Sequence, residues 1–296
     1  MANLKEVRDR IASVISTQQI TKAMKVVSAA KLRKAQQAIV QMRPYADKLN
    51  AMSVNILSNL DGDGDTAFGV QRPIENACMV VVTSNRGLCG GFNTNIIKAA
   101  AHTIETQYAS VRAAGKLTIL CIGKKGNDYF RKNYTDCTLV SDYVEIFNNL
   151  AFDNVSTVAK QLTDGFEAKK YDHISVAYSR FKNAAVQFAE SEQFLPVKKL
   201  EKQAGAPKTK ADYAFEPDQA SLLQTLIPTI LQTQFYKFLL DTHASEHGAR
   251  MTAMDKATEN ANDLLKTLKI NYNKARQEAI TKELSEIVGG VAAAGG

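Results

Sequence analysis

The chain has no tryptophan, and only four histidines, four cysteines and six prolines in 296 residues. No apolar run approaches the ~20 residues needed to span a bilayer. Cys78, Cys89, Cys121 and Cys137 form no CxxC pair and have no histidine-rich surroundings. Three of them lie in or beside apolar runs. They read as small buried residues of a reducing compartment, not as disulfides or zinc ligands. The N-terminal run MANLKEVRDR lacks an apolar signal core and is too acidic for a transit peptide. The expectation is a soluble intracellular protein that docks, if anywhere, on a membrane-bound assembly.

What the chain does have is an uneven charge. Its formal net charge is +7. Residues 1–50 carry Lys5, Arg8, Arg10, Lys22, Lys25, Lys31, Arg33, Lys34, Arg43 and Lys48 against Glu6, Asp9 and Asp47, so this segment alone accounts for the excess. The partner of such a helix is expected to be acidic; the plainer reading is a solvated basic face. Residues 1–44 contain no aromatic. Nucleic-acid modules interleave aromatics with Lys and Arg or carry a reading motif. A basic coiled-coil protein holding a duplex backbone electrostatically is therefore the alternative, without further support from motifs.

Apolar residues at three- and four-residue steps predict long helices over 3–60 and 216–288, with Asn3 and Glu6 as a capping box at the start. In the first, Leu4, Val7, Ile11 and Val14 form a stripe. Ile20, Met24 and Val27 continue it with a phase slip. Ala35, Ala38, Met42, Tyr45, Leu49, Met52 and Ile56 complete it. About 57 residues at ~1.5 Å each would reach ~85 Å. In the last, Leu222, Leu223, Leu226, Ile227, Ile230 and Leu231 make a wide apolar face. Met254, Ala257, Ala261, Leu264, Leu268, Tyr272, Ala275 and Ala279 form a narrow seam. Helices so matched predict an antiparallel coiled coil. Pro44 and Pro228 predict local bends, and Pro217 suits a first helical turn. The chain closes on an apolar tip, VGGVAAAGG.

Between these ends, strands are expected at 77–84, 117–122, 138–140 and 172–180, with helices near 92–113, 124–132 and 151–169. This alternation predicts an α/β, Rossmann-like domain with a mostly parallel sheet. Further strands at 184–197 and 212–216 are expected to be antiparallel and at an edge. KKLEKQAGAPKTK reads as a surface loop. The division is 1–60 N-terminal coiled-coil helix, 61–215 central domain and 216–296 C-terminal coiled-coil helix.

Three motifs suggest chemistry. His243, Glu246 and His247 have the H-x-x-E-H spacing of a zinc hydrolase, with two histidines one turn apart and a glutamate base. A catalytic zinc needs a third protein ligand and a cleft, and the only other histidines are His102 and His173. Polar residues on a helix face are the simpler reading. Asp61, Asp63 and Asp65 start like a calcium loop. Its sixth and twelfth positions are Thr66 and Arg72, where Gly and Glu are required. The turn Ser84–Asn93 follows a strand and is rich in glycine, but matches neither phosphate-binding pattern; Gly123-Lys124 also lacks the upstream glycine. A tight turn for close backbone packing is expected, with Arg86 as a contact residue.

Four stretches together resemble one family. They are the run Arg10–Leu32 (RIASVISTQQITKAMKVVSAAKL), the turn SNRGLCGGFN, SEHGARMTAMDKATENA over 245–261, and Tyr272-Asn-Lys-Ala-Arg276-Gln277 through Ile280-Thr281-Lys-Glu283 to Gly290. In this order and over the full length they resemble the gamma subunit of the F-type ATP synthase. Val291 departs from the family's usual Ala, a conservative change in an apolar tip.

The resemblance implies a non-catalytic rotor shaft inside a ring of three alpha and three beta subunits, one copy per complex. It also implies contacts with an epsilon subunit and a membrane c-ring, on the cytoplasmic face of a bacterial energy-transducing membrane. Proton flow would turn the rotor and drive the catalytic beta sites through different conformations. No cofactor, metal or nucleic acid is implied. By the same resemblance, Met24 and Lys25 lie near an acidic lever of beta. Arg276 and Gln277 form a catch on a beta loop, with Thr281 and Glu283 in the same signature.

Overall fold

A computed structural model describes residues 4–58, 68–197 and 219–295. The acidic run at 61–65, the strand expected at 212–216, the loop from 198 and Asn3 and Pro217 lie outside the described residues. The elements run α1 (Leu4–Ser58), β1 (Ala77–Val82), α2 (Phe92–Gln107), α3 (Ala109–Ala113), β2 (Leu117–Ile122), α4 (Lys124–Asn133) and β3 (Thr138–Val140). A 3-10 turn at Ile146–Asn149 follows, then α5 (Phe152–Glu167), β4 (His173–Phe181), β5 (Gln187–Leu195) and α6 (Gln219–Ala294). Helix α1 continues through Pro44 and α6 through Pro228. The chain divides into two compact units, Met1–Ala29 with Arg250–Gly296, and Ala30–Ala249. Both boundaries fall inside the long helices.

In the unit Ala30–Ala249, five strands lie in the order β3-β2-β1-β4-β5. The pairs β1·β2, β1·β4 and β2·β3 are parallel, and β5 closes one edge antiparallel to β4. Every residue of β1 is buried, as expected of a central strand covered on both faces. Successive side chains point to opposite faces. Cys78, Val80 and Val82 join a core with Val158, Leu162 and Phe166 of α5 and Phe235, Phe238 and Leu239 of α6. Ala77, Met79 and Val81 join a second core with Ile96, Ala100 and Ile104 of α2 and Phe130 of α4. Full burial of each Val, Leu, Ile, Met or Phe side chain among these contributes roughly 1.5–3 kcal/mol. Cys78 and Cys121 are buried, and burial pushes both thiols up to about 12, so they remain protonated at neutral pH.

In the other unit, α1 and α6 pair antiparallel. Arg8 donates to the Tyr272 hydroxyl at 3.3 Å, Gln18 to the Asn262 side chain, and the hydroxyls of Thr21 and Thr258 meet at 2.8 Å. Lys25 holds Asp255 at 2.5 Å. Partner numbers fall on α6 as they rise on α1.

The seam corrects the sequence reading. No phase slip occurs after Val14. The least exposed positions continue at Gln18, Thr21, Lys25 and Ser28 in unbroken alternating steps of three and four. Ile20 and Val27 instead point outward, 57% and 56% exposed. On α6, Thr258 and Leu265 take the seam positions, not Ala257 and Leu264. Farther along α1, within the larger unit, Ile39 is buried where Ala38 was expected, and Tyr45 is 53% exposed. A reading that follows apolar residues leaves the true stripe wherever the seam itself is polar.

Candidate partner-contact surfaces

The sheet reverses its winding between β1 and β4. A doubly wound sheet normally admits a ligand there, outside the carboxyl ends of the strands. Here α6 fills that place. The last β4 residue paired with β1 is Ala177. Two residues on, the Ser179 N–H donates to Thr242 Oγ1 at 3.3 Å, and the Ser179 carbonyl accepts from Ser245 Oγ at 3.1 Å. Both α6 side chains are wholly buried.

The glycine turn after β1 is built for rigidity. The Ser84 N–H donates to Asn93 Oδ1 at 3.0 Å, and Asn93 Nδ2 donates to Ser84 Oγ at 2.9 Å and to Cys89 Sγ at 3.2 Å. Ser84 Oγ donates to the Arg86 carbonyl at 2.7 Å. Next door, Gly123 has φ 96°, and a Cβ there would sit 2.0 Å from the Thr83 carbonyl oxygen. That glycine permits two backbones to approach, as the structural reading of Gly123-Lys124 expected. At the crest of the turn Arg86 is exposed, and beside it Leu88 is 65% exposed at φ 63°. Leu88 escaped sequence reasoning, because a positive φ at a leucine leaves no compositional trace.

On the coil, Met24 and Lys25 are half-buried. Lys25 is engaged by Asp255, with 42% and 48% of the two side chains exposed. Arg276, Gln277, Thr281 and Glu283 are all exposed, and Thr281 Oγ1 donates to the Gln277 carbonyl at 2.9 Å. The structure thus groups these four over two turns of α6, places Met24 and Lys25 on α1 of the same unit, and puts Arg86 in the other unit. From Ile280 to Val291 every residue is exposed, including Leu284 at 58%, Ile287 at 62%, Val288 at 67% and Val291 at 69%. On α1, Val26 is 68% exposed beside Val27. Ile20 and Val27 fit a seam by apolar spacing alone, which hides them as contact candidates. The signal available was their misfit to the heptad frame set by Leu4–Val14. Among the described residues no helix is long and apolar enough to cross a membrane.

A two-helix coil that leaves apolar side chains outside its seam, joined in one chain to an α/β domain against whose sheet α6 packs, has the exposed apolar surface that marks an interaction site, as in a subunit of an assembly. The ATP synthase family model matches residues 3–294. The ATP synthase gamma chain of Cytophaga hutchinsonii is 50% identical over 99% of both chains, and that of Flavobacterium psychrophilum 51% identical over 99% of both. The fold is also that of a chain in the Euglena gracilis mitochondrial ATP synthase (OSCP/F1/c-ring, rotational state 3), with TM-score 0.69 and 24% identity, covering 98% of this chain and 94% of that one. A chain of the Euglena gracilis rotor in rotational state 1 superposes with TM-score 0.61 at 23% identity, over 94% and 98%. The chain belongs to the ATP synthase gamma chain family.

Proposed function

We propose that the chain is the central rotor shaft of a proton-translocating ATP synthase, and that it couples rotation of a membrane ring to conformational change at catalytic beta subunits. The observation that carries this reading is the outer surface of the coil. Ile20, Val26 and Val27 on α1, and Ile280 to Val291 on α6, leave apolar side chains outside the seam. A cluster of exposed apolar side chains of this kind marks an interaction surface.

The proposed surroundings are three alpha and three beta subunits, with an epsilon subunit and the c-ring at the other contacts. One copy serves each complex, peripheral on the cytoplasmic face of a bacterial energy-transducing membrane. The chain itself catalyses nothing. A partner shifts a conformational equilibrium only as far as it binds the states unequally. A single asymmetric coil in a three-fold ring presents a different face to each catalytic subunit, and its faces do differ. Basic Lys22, Lys31, Arg33 and Lys34 are exposed on α1, suited to acidic segments of beta.

Met24 and the exposed part of Lys25 are assigned to the acidic lever of beta. Arg276 and Gln277, with Thr281 and Glu283 one turn on, are assigned to the catch on a beta loop, and Arg86 to a contact from the central domain. These assignments rest on the family motif and on exposure. In the reconstituted complex, Arg276→Ala or Gln277→Ala is expected to lower coupled ATP turnover about tenfold, a loss of ~1.4 kcal/mol in transition-state stabilisation. The isolated variants keep the wild-type melting temperature. Wild-type turnover in both variants refutes the catch. ATP hydrolysis by the purified chain alone refutes the non-catalytic assignment.

A further inference from the structure

His243 and His247, whose spacing suggested zinc, are joined to each other by a hydrogen bond between their Nε2 atoms at 3.2 Å, and among the described residues no three His, Cys, Asp or Glu side chains are grouped to hold a metal. The coil carries a different constellation. In the unit formed by Met1–Ala29 and Arg250–Gly296, Lys25 reaches the surface with an acid already attached: its Nζ lies 2.5 Å from Asp255 Oδ1. Beneath the pair the seam is closed. Ser28 and Met254 are buried, and the hydroxyls of Thr21 and Thr258 meet one turn away at 2.8 Å. The two backbones are thereby fixed, which keeps the short Asp255 carboxylate within reach of Lys25. The lysine ammonium, on a flexible four-carbon stem, is the part that can swing.

The pair is poorly suited to holding the coil together. Its side chains are 42% and 48% exposed, and ion pairs in such exposure add little stability. It is well suited to competition. Lys25 belongs to a stretch in which Lys22 is exposed and the adjacent Val26 and Val27 are turned outward. A partner carboxylate arriving there meets an ammonium that is already paired. A pair closed about four-fifths of the time leaves about one-fifth of Lys25 free, and an outside carboxylate then binds about fivefold more weakly. Weaker binding within one interface shows mainly as faster release. A contact that must form and break at each turn of a rotor gains from that.

We infer that Asp255 is a positioning residue that competes with a partner carboxylate for Lys25, holding the ammonium on the coil between contacts and speeding its release from each one. The inference rests on the assignment of Lys25 to an acidic segment of beta.

The test is ATP-driven turnover of alpha and beta reconstituted with the full chain, at low and at moderate ionic strength. Asp255→Asn keeps the shape and removes the charge. It is expected to turn over about threefold more slowly than the wild type at low salt, and the difference shrinks as salt screens the exposed charges. Asp255→Glu restores the wild-type rate. In a Lys25→Gln background, Asp255→Asn makes no further difference. A wild-type rate in Asp255→Asn overturns the inference. So does a slowing that is as large in the Lys25→Gln background or indifferent to salt, since a structural role would survive both changes. Failure of the wild-type chain to assemble with alpha and beta overturns the rotor reading, and this inference with it. Normal assembly and turnover of the wild type beside an unaffected Asp255→Asn overturns the inference alone.

Discussion

Leu88 combines two unfavourable features, an apolar side chain 65% exposed to water and a backbone φ of 63°. For an ordinary L-residue the left-handed region costs roughly 1–2 kcal/mol, and asparagine tolerates it best after glycine. Leu88→Asn is therefore expected to stabilise the isolated chain by up to ~1 kcal/mol in urea unfolding, while weakening assembly with alpha and beta. A clear loss of stability would mean that Leu88 packs on its own chain. Elsewhere a pair acts through charge. Arg112 grips Asp136 at 2.6 and 3.1 Å, and this hydrogen bonding holds the carboxyl below its ordinary value of 3.8. The folded value lies below the unfolded one. The contribution to stability is thus complete above pH 3.8 and is lost as pH falls through the lower folded value. Asp136→Asn should flatten that part of the stability–pH curve, measured by thermal unfolding across the acid range, and leave the slope near neutrality unchanged.

Among the elements, the sheet was readable and the seam only partly so, for one physical reason. β1 is wholly apolar and buried, and β2 is so except for the half-buried Thr118, so composition and position agree. Strand β5 appeared at the expected edge and direction because an antiparallel partner needs only a short connection. In the coil the two signals separate. Gln18, Thr21 and Ser28 lie in the seam while Ile20, Val26 and Val27 lie outside it. Local pattern and fold conflict where a surface is shaped for something other than its own chain. The turn carrying Arg86 was legible from its glycines, and the catch residues only through resemblance, because an exposed arginine on a helix has no physical signature of its own.

The polar layers of the seam also allow a test. Thr258 Oγ1 donates to the Met254 carbonyl and Thr21 Oγ1 reaches the Gln18 carbonyl, so the hydroxyl pair adds little beyond bonds each already has. Replacing two partners together by apolar groups of the same shape is close to neutral or stabilising. Thr21→Val with Thr258→Val should leave the melting temperature unchanged or raise it. A fall equivalent to more than ~1 kcal/mol would show that the pair holds the coil together and does not merely set its register.

For the whole molecule, the opposite experiment isolates function from folding. Val26 and Val27 are 68% and 56% exposed and contribute little to the chain's own burial. Substitutions at such exposed positions usually change stability by less than ~0.5 kcal/mol. Val26→Ser with Val27→Ser should accordingly melt with the wild type and retain its helix content. If an enclosing ring reads this face, the same variant loses apolar contact only after assembly. Each serine then leaves a polar hydroxyl where the partner presents an apolar wall, a mismatch of roughly 1–3 kcal/mol. Reconstituted complexes should show reduced coupled turnover and weaker retention of the chain, while alpha and beta keep their uncoupled hydrolysis. Equal coupling in variant and wild type would place this face in solvent throughout rotation, and the outward valines would then require another partner. A loss of melting temperature in the free chain would return Val27 to the seam, where its spacing had placed it, and Val26 with it.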